Sequence, residues 1–110
     1  MPTLRDYRVA AAPVLHVTKT GADISTATSV VTAISNKSIV VTDIIVSTGT
    51  AGDLSVCDDD TPFITFYLGG DGTAVANLSS PVKITAGNDL KVDSSTTNTN
   101  YSFLINYYIE

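Results

Sequence analysis

The chain has 110 residues, a length typical of one domain with a single hydrophobic core. Its formal net charge of −5 excludes a general nucleic-acid binder, because phosphate contacts require clustered Lys and Arg side chains. Ser, Thr, Val and Ile fill the patterned stretches, Glu occurs once and Gln is absent, a composition that favours strands over helices.

The hydropathy and cysteine content of the chain further restrict the class of protein to which it can belong. No apolar run reaches the length of a membrane span, so we expect no membrane partner. Cys57 is the only cysteine and cannot form an internal disulfide, so the fold must be held by packing. This is consistent with a protein made in a reducing cytoplasm.

Residues 1–20 are predicted to form an extended N-terminal arm with one or two short strands. Leu4 and Tyr7 stand among charged residues, and Pro13 favours an extended edge position for the strand that follows it. Residues 1–40 carry four basic and two acidic side chains, whereas residues 41–110 carry two basic and nine acidic ones. A basic leading segment can dock onto an acidic surface or a neighbouring subunit. Ordinary scatter of solvated charges is the alternative.

A nearly continuous β-branched run at residues 39–46 follows a weaker Thr-rich strand predicted within residues 24–34. Such a run predicts a strand covered on both faces. One face of a sandwich strand meets the core, so the other needs a cover, either the arm or another subunit. We therefore predict that Val40, Ile44 and Val46 lie at a subunit interface.

The second half of the chain alternates short strands with Gly, Asp and Asn turns. In the last strand Tyr101 begins a row of apolar odd positions that predicts a core-facing side, and Tyr108 faces the other way, toward a partner. About eight strands predict an all-β, antiparallel, jelly-roll-like sandwich over residues 21–110. The strands are expected within residues 54–57, 63–68, 74–78, 82–84, 90–92 and 101–109, with a hairpin at 69–72 and a turn at 86–89.

Few residues could perform chemistry. His16 is the only histidine, so nucleophilic triads, zinc sites and histidine-rich metal sites are excluded, and we predict neither enzymatic activity nor a cofactor. Asp58, Asp59 and Asp60 form a weak candidate cation site, because calcium prefers several carboxylate oxygens. Consecutive strand residues point to opposite sides, so a site would require a turn there; a solvated acidic loop is the alternative.

The order of motifs in the second half is distinctive. An apolar strand is followed by LSV at residues 54–56, by GGDG at 69–72, and, after Pro81, by AGNDLKV at 86–92. Closed by an alternating aromatic strand, this order resembles the small jelly-roll virion proteins of tailed bacteriophages over residues 38–109. The resemblance implies a non-catalytic protein that trimerises and serves as a capsid decoration or cement protein, or as a knob on a tail or fibre.

On this resemblance we expect a homotrimer on the capsid surface of a virion, bound to the major capsid protein and made in the host cytoplasm. Residues 1–18 would bind the shell or an adjacent protomer, adding a strand to a sheet edge. A tail, fibre or knob component that binds a host glycan or another virion protein is the alternative, and a monomeric sandwich with an unrelated role stays open. The predicted interface residues are Leu4, Arg5, Tyr7, Arg8, Val14, Val40, Ile44, Val46 and Tyr108.

Overall fold

The computed structural model describes residues 14–21, 26–94 and 100–110, and within these ranges every regular element is a β-strand. The described residues contain no helix long and apolar enough to cross a membrane. The all-β prediction is confirmed. The strands are β1 (Leu15–Gly21), β2 (Thr28–Val31), β3 (Ile39–Thr48), β4 (Gly52–Asp58), β5 (Thr61–Leu68), β6 (Gly72–Lys83), β7 (Leu90–Asp93) and β8 (Tyr101–Ile109).

The strands form two four-stranded antiparallel sheets, with the orders β1-β8-β3-β6 and β2-β7-β4-β5. Their pairs are nested along the chain: β4 pairs with β5, β3 with β6, β2 with β7 and β1 with β8. Such nesting is one long antiparallel ribbon folded over, which brings β8 beside β3 and β7 beside β4. This arrangement confirms the predicted jelly roll.

The strand expected after Pro13 is β1, an edge strand paired in register with β8. Residues 15–20, which the sequence assigned to the arm, therefore belong to the sandwich itself. Val17 packs against the core because its register partner, Ile105, faces inward. Residues 1–13 lie outside the described residues, and for them an arm stays a prediction.

A β-bulge at Thr42 interrupts β3. Val41 pairs with Tyr107 and Asp43 pairs with Asn106, so Thr42 has no residue opposite it on β8. Its hydroxyl oxygen lies 3.0 Å from Asp43 Oδ2 and 3.2 Å from the backbone oxygen of Asn106. The extra residue is thus accommodated by local hydrogen bonds at the middle of the sheet.

The bulge explains why β3 is almost continuously apolar. Side chains alternate along a strand, and one extra residue reverses the phase of that alternation. Ile39 and Val41 before the bulge, and Ile44 and Val46 after it, therefore all point into the core between the sheets. The run therefore comes from two inward-facing pairs in opposite phase. The prediction of a strand covered on both faces is wrong at Ile45, which lies on the outer face and is exposed, although Val40 on the same face is buried.

The core confirms the predicted inward row of the last strand. Phe103 is packed between the sheets and makes a T-shaped, edge-to-face contact with Tyr101, with ring centroids 6.1 Å apart. Ile64, Phe66 and Leu68 of β5 pack against the same core. The buried cluster consists of Ile39, Val41, Ile44, Val46, Leu54, Val56, Ile84, Leu90, Val92, Tyr101, Phe103 and Ile105.

Residues 69–72 form a tight turn, but the prediction of a hairpin there is wrong, because this turn joins β5 to β6, which lie in different sheets and do not pair. Gly72 N donates a hydrogen bond to Gly69 O at 3.0 Å. Asp71 takes the left-handed conformation, with φ of 56°. A side chain at Gly72 would place its Cβ 2.7 Å from Gly69 O, so the close approach of the two backbones requires glycine there.

Candidate interaction surfaces

Asp58 of the acidic run anchors a neighbouring turn. Its carboxylate accepts hydrogen bonds from Thr85 N at 3.0 Å, Thr85 Oγ1 at 2.8 Å and Asn88 Nδ2 at 2.9 Å. Burial disfavours the charged carboxylate, but the hydrogen bonds from Asn88 and Thr85 outweigh it and hold the pKa of Asp58 below its usual value. Asp58, at the end of β4, therefore stabilises the turn that contains Thr85 and Asn88.

The other two acids of the run face one lysine. Lys91 Nζ lies 3.1 Å from Asp59 Oδ1 and 3.0 Å from Asp60 Oδ1. The hydrogen bonds to Asp60 and Asp59 raise the pKa of Lys91. Asp59 has φ of 55°, so the segment does turn here, between β4 and β5. Its carboxylates nonetheless meet protein donors, and no group of three His, Cys, Asp or Glu residues within the described ranges could hold a metal ion.

Asp89, which was predicted only to lie in a turn, also stabilises this end of the molecule. Asp89 accepts hydrogen bonds from Ala33 N at 2.7 Å and from Ser29 Oγ at 2.9 Å. The bond from Ala33, and then that from Ser29, lower the pKa of Asp89. Asp89 thereby ties β2 and the segment after it to the turn before β7. The only available signal in the sequence was its place at the end of the turn motif of residues 86–89.

The two side chains best suited to nucleophilic chemistry are held apart in the fold. Cys57 is fully buried in β4, and burial, with Asp93 and Asp60 nearby, raises the pKa of its thiol to about 11. His16 lies on the exposed side of β1, in the other sheet. A thiol that stays protonated and has no histidine beside it is a poor nucleophile.

Three surface depressions of about 250, 470 and 540 Å³ are lined mainly by Ser, Thr, Asn and Gly. None is lined by His or Cys among the described residues, and none by a pair of carboxylates. They offer hydrogen-bonding groups without an acid–base or nucleophilic constellation. Their linings are residues 47–49, 71–73 and 100 for the first, 20, 21 and 100–102 for the second, and 42, 43, 77–79 and 81 for the third.

An exposed apolar row crosses the outer face of the β1-β8-β3-β6 sheet. Ile45 of β3 pairs with Leu104 of β8 on one side and with Val75 of β6 on the other. Ile45 is 38% exposed and Val75 is 58% exposed. We name these three residues the apolar row. Polar rows flank it, formed by Ser102, Ser47 and Thr73 on one side and by Asn106, Asp43 and Asn77 on the other.

The predicted interface residues are distributed differently from the expectation. Ile44 and Val46 are fully buried between the sheets, so they cannot contact another subunit. Val40 and Tyr108 are register partners on the outer face, as predicted for Tyr108, but both are buried within the chain, at 3% and 6% exposure. Val14, at the start of β1, is exposed.

Four predicted interface residues, Leu4, Arg5, Tyr7 and Arg8, lie outside the described residues. The apolar row itself was not predicted from the sequence. Ile45 stood within the run at residues 39–46, but its outward direction depends on the bulge, whose position the sequence alone does not mark.

No family model matches this chain, and neither does any curated protein sequence. Among solved structures, the coat protein of Tobacco streak virus matches with a TM-score of 0.39 at 10% identity, covering 84% of this chain and 85% of that one. The dimer of that coat protein matches with a TM-score of 0.37 at 10% identity, covering 84% and 83%. A protein of Bacillus endospore appendages, described as disulfide-linked pili, matches with a TM-score of 0.38 at 18% identity, covering 88% of each chain.

Proposed function

We propose that this chain is a non-catalytic structural protein of a virion, of the capsid decoration or cement type. The observation that carries the proposal is the nested eight-stranded jelly roll, an architecture that viral capsid domains use. Lectins and cupins use the same architecture, so the fold alone does not decide between them. The motif order over residues 38–109 adds the resemblance to small phage virion proteins.

The surface chemistry favours assembly over catalysis. A cupin-type metal site needs several histidines, and the chain has one, which lies exposed on β1. Exposed apolar side chains include Ile45 and Val75 on one sheet face and Leu15 on the edge strand β1, where another protein can cover them. A protein of this kind acts by adding contact area to the shell.

In the proposed mechanism, three copies form a closed trimer that sits at local threefold positions and bridges subunits of the major capsid protein. Threefold attachment strengthens a weak individual contact by avidity. Residues 1–13, which precede β1, are proposed to make the contact with the shell or with an adjacent protomer. Their basic character suits an acidic neighbour.

The test is electron cryomicroscopy of particles assembled without this chain and then incubated with it. We expect density for a jelly-roll trimer on the outside of the capsid. A variant lacking residues 2–13 keeps all of β1 and should fold but lose attachment. The matched control replaces Arg5 and Arg8 by Lys, which keeps the charge. Particles that acquire no density at any concentration of the full chain would overturn the proposal.

One observation favours the alternative, a tail, fibre or knob component that binds a host glycan. Tyr67 of β5 is 83% exposed and lies just before the turn at residues 69–72. An exposed aromatic ring can stack on a sugar. Density at the tail and a glycan affinity that Tyr67→Ala abolishes would select this alternative, whereas density on the capsid and no glycan affinity would exclude it.

A further inference from the structure

Three of the four sheet edges carry features that prevent pairing with another chain. β2 is only four residues long, and β5 has Pro62 near its start. β1 carries Lys19, whose register partner Phe103 faces inward, so a charge points toward the core side of that edge. Short strands, prolines and inward-pointing charges are the usual means by which sheet edges avoid association.

The fourth edge, β6, lacks these features along most of its length. Residues 72–80 contain neither a charged residue nor a proline. Among the described residues, no strand pairs with the side of β6 that faces away from β3. Ala74 and Ala76 point toward the core yet are only partly buried, and Val75 is exposed, so this edge is open.

The regular part of β6 is residues 72–77, which pair one to one with β3. Asn77, the last residue of this part, pairs with Asp43, and the next pair along the strands is Val82 with Val41. Residues 78–81 therefore lie opposite Thr42 alone and interrupt the regular pairing. The two short strands expected at residues 74–78 and 82–84 are thus joined into one irregular strand. Only its regular part can accept another strand over several residues.

We propose that this edge pairs with the same edge of a second copy, antiparallel, about a twofold axis through Val75. In that register Val75 lies opposite Val75 of the second copy, Thr73 lies opposite Asn77, and Ala74 lies opposite Ala76. Each pair is compatible in size and polarity on its own face of the sheet. The five-residue segment is therefore complementary to itself, as an isologous contact requires.

The self-complementary register, the uncharged edge and the apolar row favour a second copy as the occupant. Two chains that each carry −5 repel one another, and this edge is where they can approach without placing like charges in contact. Pairing at Val75 joins the apolar row of one copy to that of the other. The result is a continuous outer-face row of six side chains, which covers the exposed Val75.

Oxidative cross-linking tests the register directly. Residues directly opposite in an antiparallel pair have Cα atoms about 4.5–5.5 Å apart, within disulfide range. Val75→Cys should therefore yield a disulfide-linked dimer. Thr73→Cys and Asn77→Cys are matched controls, because each lies about 13 Å from its own counterpart, and neither should cross-link alone. The double variant Thr73→Cys with Asn77→Cys should cross-link again.

Buried Cys57 makes the unmodified chain the background control. Equal dimer yields from the three single variants, more dimer from either control than from Val75→Cys, or no dimer from any of them would overturn the twofold pairing. Val75→Lys places two ammonium groups opposite each other and should abolish this twofold contact, while leaving the proposed trimer intact.

The contact does not depend on the proposed attachment to a capsid. Val75→Lys should lose the contact between copies and still decorate particles, whereas the variant lacking residues 2–13 should keep the Val75→Cys cross-link and lose decoration. The two proposals therefore fail in different experiments.

Discussion

β3 and β6 are hydrogen-bonded neighbours in one sheet, yet they differ in almost every physical respect. β3 lies between two strands and is apolar along most of its length, with Ile44 and Val46 completely excluded from solvent. β6 is an edge strand whose residues 72–77 are small or medium-sized and uncharged, and Val75 is the exposed large apolar residue of that part. The more hydrophobic strand is internal, and the less hydrophobic one is open to a partner.

The difference shows that apolar content alone does not locate an interface. In β3 the bulge at Thr42 turns a continuous apolar run into an inward-facing set, with Val40 and Ile45 as its outward apolar residues. In residues 72–80 of β6 the relevant property is the absence of any charge or proline that would block pairing. Apolar content matters for an internal strand such as β3, whereas an edge free of charge and proline matters for the open part of β6.

The largest effect is expected from deleting Thr42. Without the extra residue, either Ile39 and Val41 or Ile44 and Val46 must turn away from the core, because a one-residue shift exchanges the faces of a strand. We expect the deletion variant not to fold cooperatively, as measured by thermal unfolding. Thr42→Ala is the control: it keeps the bulge, loses one hydrogen bond and should cost about 1 kcal/mol. A deletion variant as stable as Thr42→Ala would refute the role of the bulge.

Truncating a buried apolar side chain on β3 and an exposed one on β6 gives the next largest contrast in stability. Ile44→Ala leaves a cavity in the core and should lower the free energy of unfolding by about 2–5 kcal/mol. Val75→Ala removes an exposed side chain and should change it by less than about 0.5 kcal/mol in dilute solution. Denaturant titration of both variants measures the difference. Similar losses would mean that the exposures of β3 and β6 are wrongly assigned.

The end of β6 is fixed by Asp58, which gives a smaller and pH-dependent effect. Ile84 N bonds to Ile39 O at 2.8 Å, and the next residue, Thr85, donates to Asp58. The pKa of Asp58 is lowered in the folded state, so its stabilisation is complete above the unfolded pKa of about 4 and is lost as the pH falls through the folded pKa. Asp58→Asn should therefore be less stable than the native chain at pH 7.

That stability gap should narrow as the pH falls below about 4. Unfolding titrations of the native chain and of Asp58→Asn between neutral and acidic pH measure this gap. Asp71→Asn, in the turn before β6, is the control. A gap that is constant with pH would show that the charge of Asp58 contributes nothing to the turn.

Local patterns were sufficient to predict most of the fold. The alternation from Tyr101 onward and the turn at 69–72 are determined by neighbours in sequence and are confirmed, but the turn links the two sheets and does not form the predicted hairpin. The phase of β3 was not predictable in this way, because the bulge is defined by register with β8 and β6. Pro81 suggested a break between two strands, whereas β3 holds both parts in one irregular strand.

The candidate surface was less predictable than the fold. Val75 belongs to an ordinary alternating stretch, and only its place at a sheet edge next to Ile45 makes it part of the apolar row. The loop aspartates Asp58 and Asp89 were visible as acids in turns, but their partners are 27 to 60 residues away in the sequence. Contacts of that range depend on the nested topology.

Native-state hydrogen exchange as a function of protein concentration tests the account most directly. Alternate amides in the regular part of β6 point away from β3, so a second copy should protect them, whereas the amides of β3 are already bonded on both sides. We predict that exchange at the free edge of residues 72–77 slows as concentration rises, while exchange in β3 stays constant. Concentration-independent exchange along β6, or new protection at the edges of β1, β2 or β5 instead, would contradict the account.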